Sequence, residues 1–391
     1  MYRKFLAANL FTGHQLLENN KLVLIADKAG TIEAIVPIED AGDGIEHIEG
    51  LLCPGFINAH CHLELSHFKG IIPEKTGMVD FIFGVMGKRQ LAVDGKLLAE
   101  ADKQMWANGI QALGDICNTA DTVTVKQNSP IYYHNFVEVS GFVPAGADVR
   151  FAQGKAVIDD FNQTFPMLQI SITPHSPYSV SEKLFEKIAN ENPAIISVHN
   201  QESEAENDFI FDKSGDLLKL YAALGVDISF FNPAQKSSLQ YMLPMLPKNA
   251  QKILVHNCFT TQEDLDFISA NYKPKADNFF CLCPNANLYI GNPLPNVEML
   301  AQSGFQVCLG TDSLASNHQL SILEEMKTLQ NFFPEIAAEN LLQWATVNGA
   351  KALQIDDKFG SFDKGKQSGV LQIKGFENGK FTKNASVLRL A

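Results

Sequence analysis

Asn58-Ala59-His60-Cys61-His62-Leu63-Glu64 follows an apolar run, residues 48–57, that is broken by Pro54-Gly55. Alternation along a strand puts His60 and His62 on the same side. At a strand's end, two imidazoles pointing one way are a metal-ligand arrangement. Taken alone, a His-x-His is more simply a pair of loop histidines. The ligand reading gains its weight from what ends the other apolar runs.

Those runs lie at residues 111–114, 131–137, 168–172, 194–198, 252–255, 278–281 and 305–309. Helix-periodic segments at 95–108, 182–190, 263–270 and 322–332 separate them, and Thr260-Thr261-Gln262-Glu263 has capping-box spacing. Strands alternating with helices predict parallel sheet, and eight such units fit a (β/α)8 TIM-type barrel over residues 54–355. A doubly wound sheet is the structural alternative, but no Gly-x-Gly-x-x-Gly follows a strand to support a dinucleotide site. Both ends of the chain read as strands instead. Runs at 21–26 and 31–36 flank the hairpin signal Asp27-Lys28-Ala29-Gly30, and 369–373 and 385–390 are similar. Residues 1–53 and 356–391 are therefore expected to form one small β-sandwich domain built from both termini. Residues 202–232 are expected to form a loop or helix over the barrel mouth.

Composition narrows the class. The chain has 391 residues, 46% apolar and 19% charged, with a net charge of −13. That is ample core material, and the acidity argues against nucleic acid or an anionic membrane as partner. Seven cysteines without C-x-x-C read as reduced thiols of a cytoplasmic protein. No signal peptide or bilayer-length apolar stretch is indicated.

In a barrel, the C-terminal ends of the strands open onto one face. His60 and His62 end the first run, Thr173-Pro174-His175 follows the fourth, and His199 ends the fifth with Glu202 three residues on. His256 ends the sixth and Gly310-Thr311-Asp312 the eighth. A single core histidine is more often structural. Several imidazoles and a carboxylate at the same relative place on different strands need a reason, because such groups are costly to bury without partners. A divalent metal supplies it, and would lower the pKa of a bound water to about 7. Thr173-Pro174 offers no Lys or Glu as an anionic bridge, so one metal is favoured over two.

Pro54-Gly55-Phe56-Ile57-Asn58-Ala59-His60-Cys61-His62 resembles the amidohydrolase superfamily, most closely its cytosine-deaminase-like and chlorohydrolase-like branch. Val198-His199-Asn200-Gln201-Glu202, Leu254-Val255-His256-Asn257 and Leu309-Gly310-Thr311-Asp312-Ser313 resemble later motifs of that branch, in order. Cys283-Pro284-Asn285-Ala286-Asn287 is similar to its Cys-Pro-x-Ser-Asn segment, with Ala286 in place of Ser. Near the C-terminus, Lys366-Gln367-Ser368-Gly369-Val370 departs from the family's usual small residue and Asp. The resemblance implies His60, His62, His199 and Asp312 as ligands of one metal, zinc or else iron. It implies Glu202 as the acid that protonates a ring nitrogen and then the departing amine. His256 would hold the nucleophilic water or stabilise charge on oxygen, and Asp312 would also take the water's proton.

The expected activity is metal-dependent hydrolysis of a carbon–nitrogen bond, by deamination of an aminopurine-type ring with a metal-bound hydroxide. Leu63-Glu64-Leu65-Ser66 and Thr173-Pro174-His175-Ser176-Pro177-Tyr178 are similar to aminodeoxyfutalosine deaminases, which points to 6-amino-6-deoxyfutalosine. Guanine, adenosine or methylthioadenosine/S-adenosylhomocysteine deamination and triazine dechlorination are alternatives, as is a non-catalytic scaffold of this fold. His175 is a candidate substrate contact, with a loop carbonyl as its other partner. Glu64 could bind a substrate hydroxyl or hold its loop by a salt bridge. Asn285 and Asn287 are candidates to line the mouth, with turn formation the simpler reading, and Lys88, Arg89 and Arg150 are candidate anchors for an anionic group, with solvated surface the simpler reading. The partner is a small-molecule substrate, and a homodimer is expected.

Overall fold

The computed structural model describes residues 2–88, 91, 93–165, 169–272 and 274–391. Leu168 and Arg89, both named above, lie outside the described residues. The terminal strands are β1 (Tyr2–Phe11), β2 (Leu16–Leu17), β3 (Leu22–Asp27), β4 (Ile32–Pro37) and β5 (Ile45–Cys53), with β14 (Leu371–Glu377) and β15 (Lys380–Arg389) from the other end. They form a single seven-stranded sheet, ordered β15-β14-β5-β1-β3-β4 with β2 beside β1. Both termini do build one small β unit, but its strands join in one hydrogen-bonded sheet rather than two stacked sheets. The β3–β4 turn forms as its sequence requires: Asp27 Oδ1 accepts from the backbone N–H of Ala29 (2.9 Å) and Thr31 (2.8 Å), and Gly30 takes a φ of +79°.

The apolar run at 48–57 is divided by Pro54-Gly55. β5 ends at Cys53 in the terminal sheet, and β6 (Phe56–Cys61) starts a parallel one. A run read as one signal thus serves two sheets, because proline cannot continue the ladder. A first parallel sheet comprises β6, β7 (Ile110–Cys117), β8 (Tyr132–Val139) and β9 (Gln169–Pro174), in that order. The second comprises β10 (Ile195–Asn200), β11 (Gln251–His256), β12 (Asn278–Leu282) and β13 (Gln306–Leu309). Every residue of β6, β7 and β10 is buried, which is why these strands read as largely apolar without a polar alternate face.

The two sheets meet along both edges. Between β9 and β10, Ser197 N–H donates to Thr173 Oγ1 (3.1 Å) and His199 N–H to the His175 carbonyl (2.9 Å). Between β13 and β6, Thr311 and Asp312 N–H both donate to the His60 carbonyl, at 3.0 and 3.1 Å. Helices flank the strands with one apolar face inward. Glu182–Asn190 buries Leu184, Phe185 and Ile188, one stripe at helical spacing, and Ser181 caps it. The capping box lies one residue beyond its expected position: Thr261 is the N-cap and Asp264 its reciprocal partner. Aspartate reaches back as glutamate would, so both registers satisfy the motif by sequence.

Residues 202–232 contain the helices Glu204–Asp212 and Leu217–Ala223. With Met78–Lys88 they pack an aromatic cluster, Phe142, Tyr178, Phe209, Tyr221 and Phe231, distinct from the main core. Among the described residues no helix is long and apolar enough to cross a membrane.

Candidate active site

Each strand delivers its polar residue at its C-terminal end. His60 lies within β6 and His62 just past it, His199 within β10, and His256 closes β11. Asp312 follows β13 in a short turn that is tied to His60 through its own N–H. Asn58 holds the same turn, donating to Thr311 Oγ1 (2.7 Å) and accepting from Thr311 N–H (3.1 Å). Asp312 and His256 take φ of +55° and +75°. Non-glycine residues there cost about 1–3 kcal/mol each, and such strain gathers at functional sites where surrounding bonds fix the backbone.

His60 Nε2 and His62 Nε2 lie 3.2 Å apart, and Asp312 Oδ1 is 3.6 Å from the first and 3.4 Å from the second. His60, His62 and His199 each offer a ligand atom to one group spanning no more than 4.8 Å, and so do His60, His256 and Asp312. Metal bonds of about 2.0–2.1 Å in a tetrahedral site put ligand atoms about 3.3–3.4 Å apart, which these separations match. His199 Nδ1 donates to the His175 carbonyl (3.0 Å), leaving Nε2 with its lone pair toward the cluster.

Burial pushes the histidines down to about 4 for His60 and His256 and about 3 for His62, so all three are neutral, the form a metal binds. Burial works against the Asp312 carboxylate, but the His60 imidazole and the nearby His62 and His256 hold it well below the usual range. Its other oxygen, Oδ2, accepts from Ser316 Oγ. His256 Nε2 is buried and unsatisfied, an orphan aimed at the same space. The donor set therefore fits a divalent metal.

Glu202 stands beside these groups with Oε1 3.4 Å from His256 Nε2. Burial, then the negative charges of Asp312, Glu206 and Glu138, raise its carboxyl well above the ordinary value, so it is held as the acid. Glu206 anchors its backbone, accepting from Gln201 N–H (2.8 Å) and Glu202 N–H (3.3 Å).

His175 lies at the cluster's margin, its ring 4.8 Å from that of His199 and its Nδ1 2.6 Å from Ser179 Oγ. Glu64 Oε2 accepts from the N–H groups of Asn118 (2.9 Å) and Thr119 (3.1 Å), so it pins the loop after β7 through backbone donors. Lys88 donates to the Ile71 carbonyl, and Arg150 reaches Gln153 at the surface.

Sequence reading missed three residues. Asn287 Oδ1 lies 2.8 Å from His256 Nδ1, a role hidden behind its turn-forming character. Ser316 is found only through the fold. Glu138, 3.4 Å from His199 Nδ1, was findable: it follows the 131–137 run at the position where the other runs carry their functional residue.

The chain as a whole is similar to known proteins. The model of the amidohydrolase family matches residues 51–368. The aminodeoxyfutalosine deaminase of a Nitratiruptor species is 27% identical over 349 residues, 84% of this chain and 82% of that protein. Among solved structures, the aminofutalosine deaminase of Helicobacter pylori in complex with methylthio-coformycin superposes with a TM-score of 0.81 at 22% identity, covering 100% of both chains. An adenosine deaminase from Xanthomonas campestris with bound zinc gives a TM-score of 0.74 at 18% identity, over 98% of this chain and 89% of that one. With four ordered motifs meeting at one mouth and the family matched over most of its length, this chain belongs to the amidohydrolase family and is a hydrolase of carbon–nitrogen bonds other than peptide bonds.

Proposed function

We propose that the two parallel sheets close into one eight-stranded barrel whose mouth hydrolytically deaminates an adenine-type ring. The hydrogen bonds along both sheet edges support the closure. His60, His62, His199 and Asp312 would hold one divalent ion, zinc by analogy with the zinc-bound neighbour. That ion supplies a hydrolytic water acidified to a pKa of about 7. Asp312 takes the water's proton. Glu202 gives its proton to the ring nitrogen, which draws electrons from the attacked carbon; as the carbonyl forms it takes the new hydroxyl's proton and passes it to the departing amine, and the proton held by Asp312 restores its acid form. His256 orients the water through Nε2. The observation carrying this reading is the buried Glu202, 3.4 Å from His256 and beside the two overlapping ligand groups.

The preferred substrate is 6-amino-6-deoxyfutalosine, supported by the likeness to the Nitratiruptor enzyme. A cytoplasmic place, supported by seven free and buried thiols, and a homodimer belong to the same reading. The test is a panel on zinc-loaded protein: 6-amino-6-deoxyfutalosine, 5′-methylthioadenosine, S-adenosylhomocysteine, adenosine, guanine and a chlorotriazine, scored for ammonia and chloride. Ammonia from the adenine nucleosides, fastest from the first, is the expected result. No ammonia from any aminopurine, or less than about a tenth of an ion per chain after loading, overturns the proposal.

A further inference from the structure

Two loops of the mouth are tied together by a helix behind them. Glu325, on helix Ile322–Phe332, is fully buried. Its Oε2 accepts the backbone N–H of Asn285 at 2.9 Å. Asn285 lies in the first turn of the short helix Pro284–Ile290 after β12, where an N–H has no partner within its own helix. Three residues beyond Glu325, Thr328 Oγ1 donates to the Asn285 side-chain oxygen at 2.6 Å. Glu325 Oε1 accepts from Asn317 Nδ2 at 2.9 Å, and the same buried amide donates to the Thr311 carbonyl, also at 2.9 Å.

Both ends of this bridge reach the chemistry. Helix Pro284–Ile290 carries Asn287, whose Oδ1 lies 2.8 Å from His256 Nδ1. That contact places the imidazole proton on Nδ1 and leaves Nε2 as an acceptor. Thr311 precedes Asp312, whose φ of +55° must be held by the bonds around it. His256 orients the attacking water and Asp312 takes its proton, yet the two follow different strands. Packing alone does not explain the carboxyl between their loops. Among the described residues its partners are amides rather than cations, and burial pushes it up to about 8 against their pull. An apolar side chain of the same size would fill the space at lower cost.

We propose that Glu325 is a positioning residue that holds His256 and Asp312 at the spacing one shared water requires. The proposal rests on the deaminase reading above and adds to it a group that acts through the two loops.

The test uses Glu325→Met, which keeps the length and volume of the side chain and removes both acceptors, and Glu325→Gln, which keeps one. Each is made in wild type and in Asn287→Ala, loaded with zinc and measured for bound zinc. The substrate is the nucleoside of the panel that wild type turns over fastest. Glu325→Met should lower kcat about 10- to 100-fold, with KM within about threefold and zinc content unchanged. Glu325→Gln should recover at least about threefold of that loss. In the Asn287→Ala background, Glu325→Met should cost less than about threefold, because the link to His256 is already cut. Should Glu325→Met not fold, Asn317→Ala removes the other arm of the bridge and carries the same comparison. An equal loss in both backgrounds, a loss carried by KM, loss of zinc, no loss, or Glu325→Gln no better than Glu325→Met overturns the proposal and leaves the deaminase reading standing. Wild type that releases no ammonia from any aminopurine of the panel overturns both.

Discussion

Glu202→Gln isolates proton delivery from everything else the site does. Glutamine keeps the size of the side chain and can stay against His256 Nε2, 3.4 Å from the present Oε1, but it has no acidic proton to release. Metal binding should be unchanged, because Glu202 lies outside the His60, His62 and His199 group. General acid catalysis is worth about 10²–10⁴ in rate, or about 2.7–5.4 kcal/mol of barrier, and kcat should fall within that range. The pH dependence adds a second signature. Burial and neighbouring carboxylates raise the Glu202 pKa, so wild-type kcat/KM should decline on the basic side as the acid form is lost, and the variant should lack that limb. Stability follows the same group. A carboxyl whose folded pKa exceeds its unfolded value contributes stability that is fully present below about pH 4.5 and is lost as pH rises through the folded pKa. The thermal midpoint of Glu202→Gln should therefore gain on wild type as pH rises. Steady-state ammonia release from pH 5 to 10, with metal analysis, reads the kinetic outcome. A fully metallated variant keeping more than about a tenth of wild-type kcat/KM, or an unchanged basic limb, would refute the assignment of Glu202 as the acid.

Two further perturbations probe how the site is held. Lys126 and Asp115 form a fully buried pair at 2.5 Å, and Asp115 Oδ1 also accepts Leu63 N–H at 2.8 Å, directly after His62. Asp115→Asn strands the ammonium and should cost about 3–5 kcal/mol in urea unfolding; a cost below about 1 kcal/mol would contradict the pairing. A methyl at Gly310 would sit 2.8 Å from His60 Cβ and 2.9 Å from both Cys283 Sγ and the His60 carbonyl oxygen. Gly310→Ala should weaken zinc binding about tenfold or more in chelator competition, and wild-type affinity would show that His60 tolerates displacement.

Much of this was legible in the chain itself. All eight parallel strands were visible because burial on both faces makes short runs largely apolar, and the helices at Glu182–Asn190 and Ile322–Phe332 fell where their periodicity put them. His60, His62, His199, His256 and Asp312 were legible because a strand's polar terminus is a local signal. What escaped was pairing across sequence. Lys126 sits in a short helix and is buried against partners on two strands, Asp115 on β7 and Asn135 on β8. Glu64 was weighed as a salt bridge or a hydroxyl ligand; it also binds backbone N–H groups that no side-chain pattern announces. The sandwich expectation went astray for a related reason: alternation marks strands but does not say which edges join.

The terminal sheet also sets an order of events during synthesis. β5 pairs with β14, so one edge of Ile45–Cys53 has no partner until Leu371 and its successors have been made. The newborn chain carries that row of unmet amides and carbonyls while all the intervening residues are made, ready to be captured by another nascent copy. Crowded polysomes, rather than the finished enzyme, are where this protein is most exposed to aggregation.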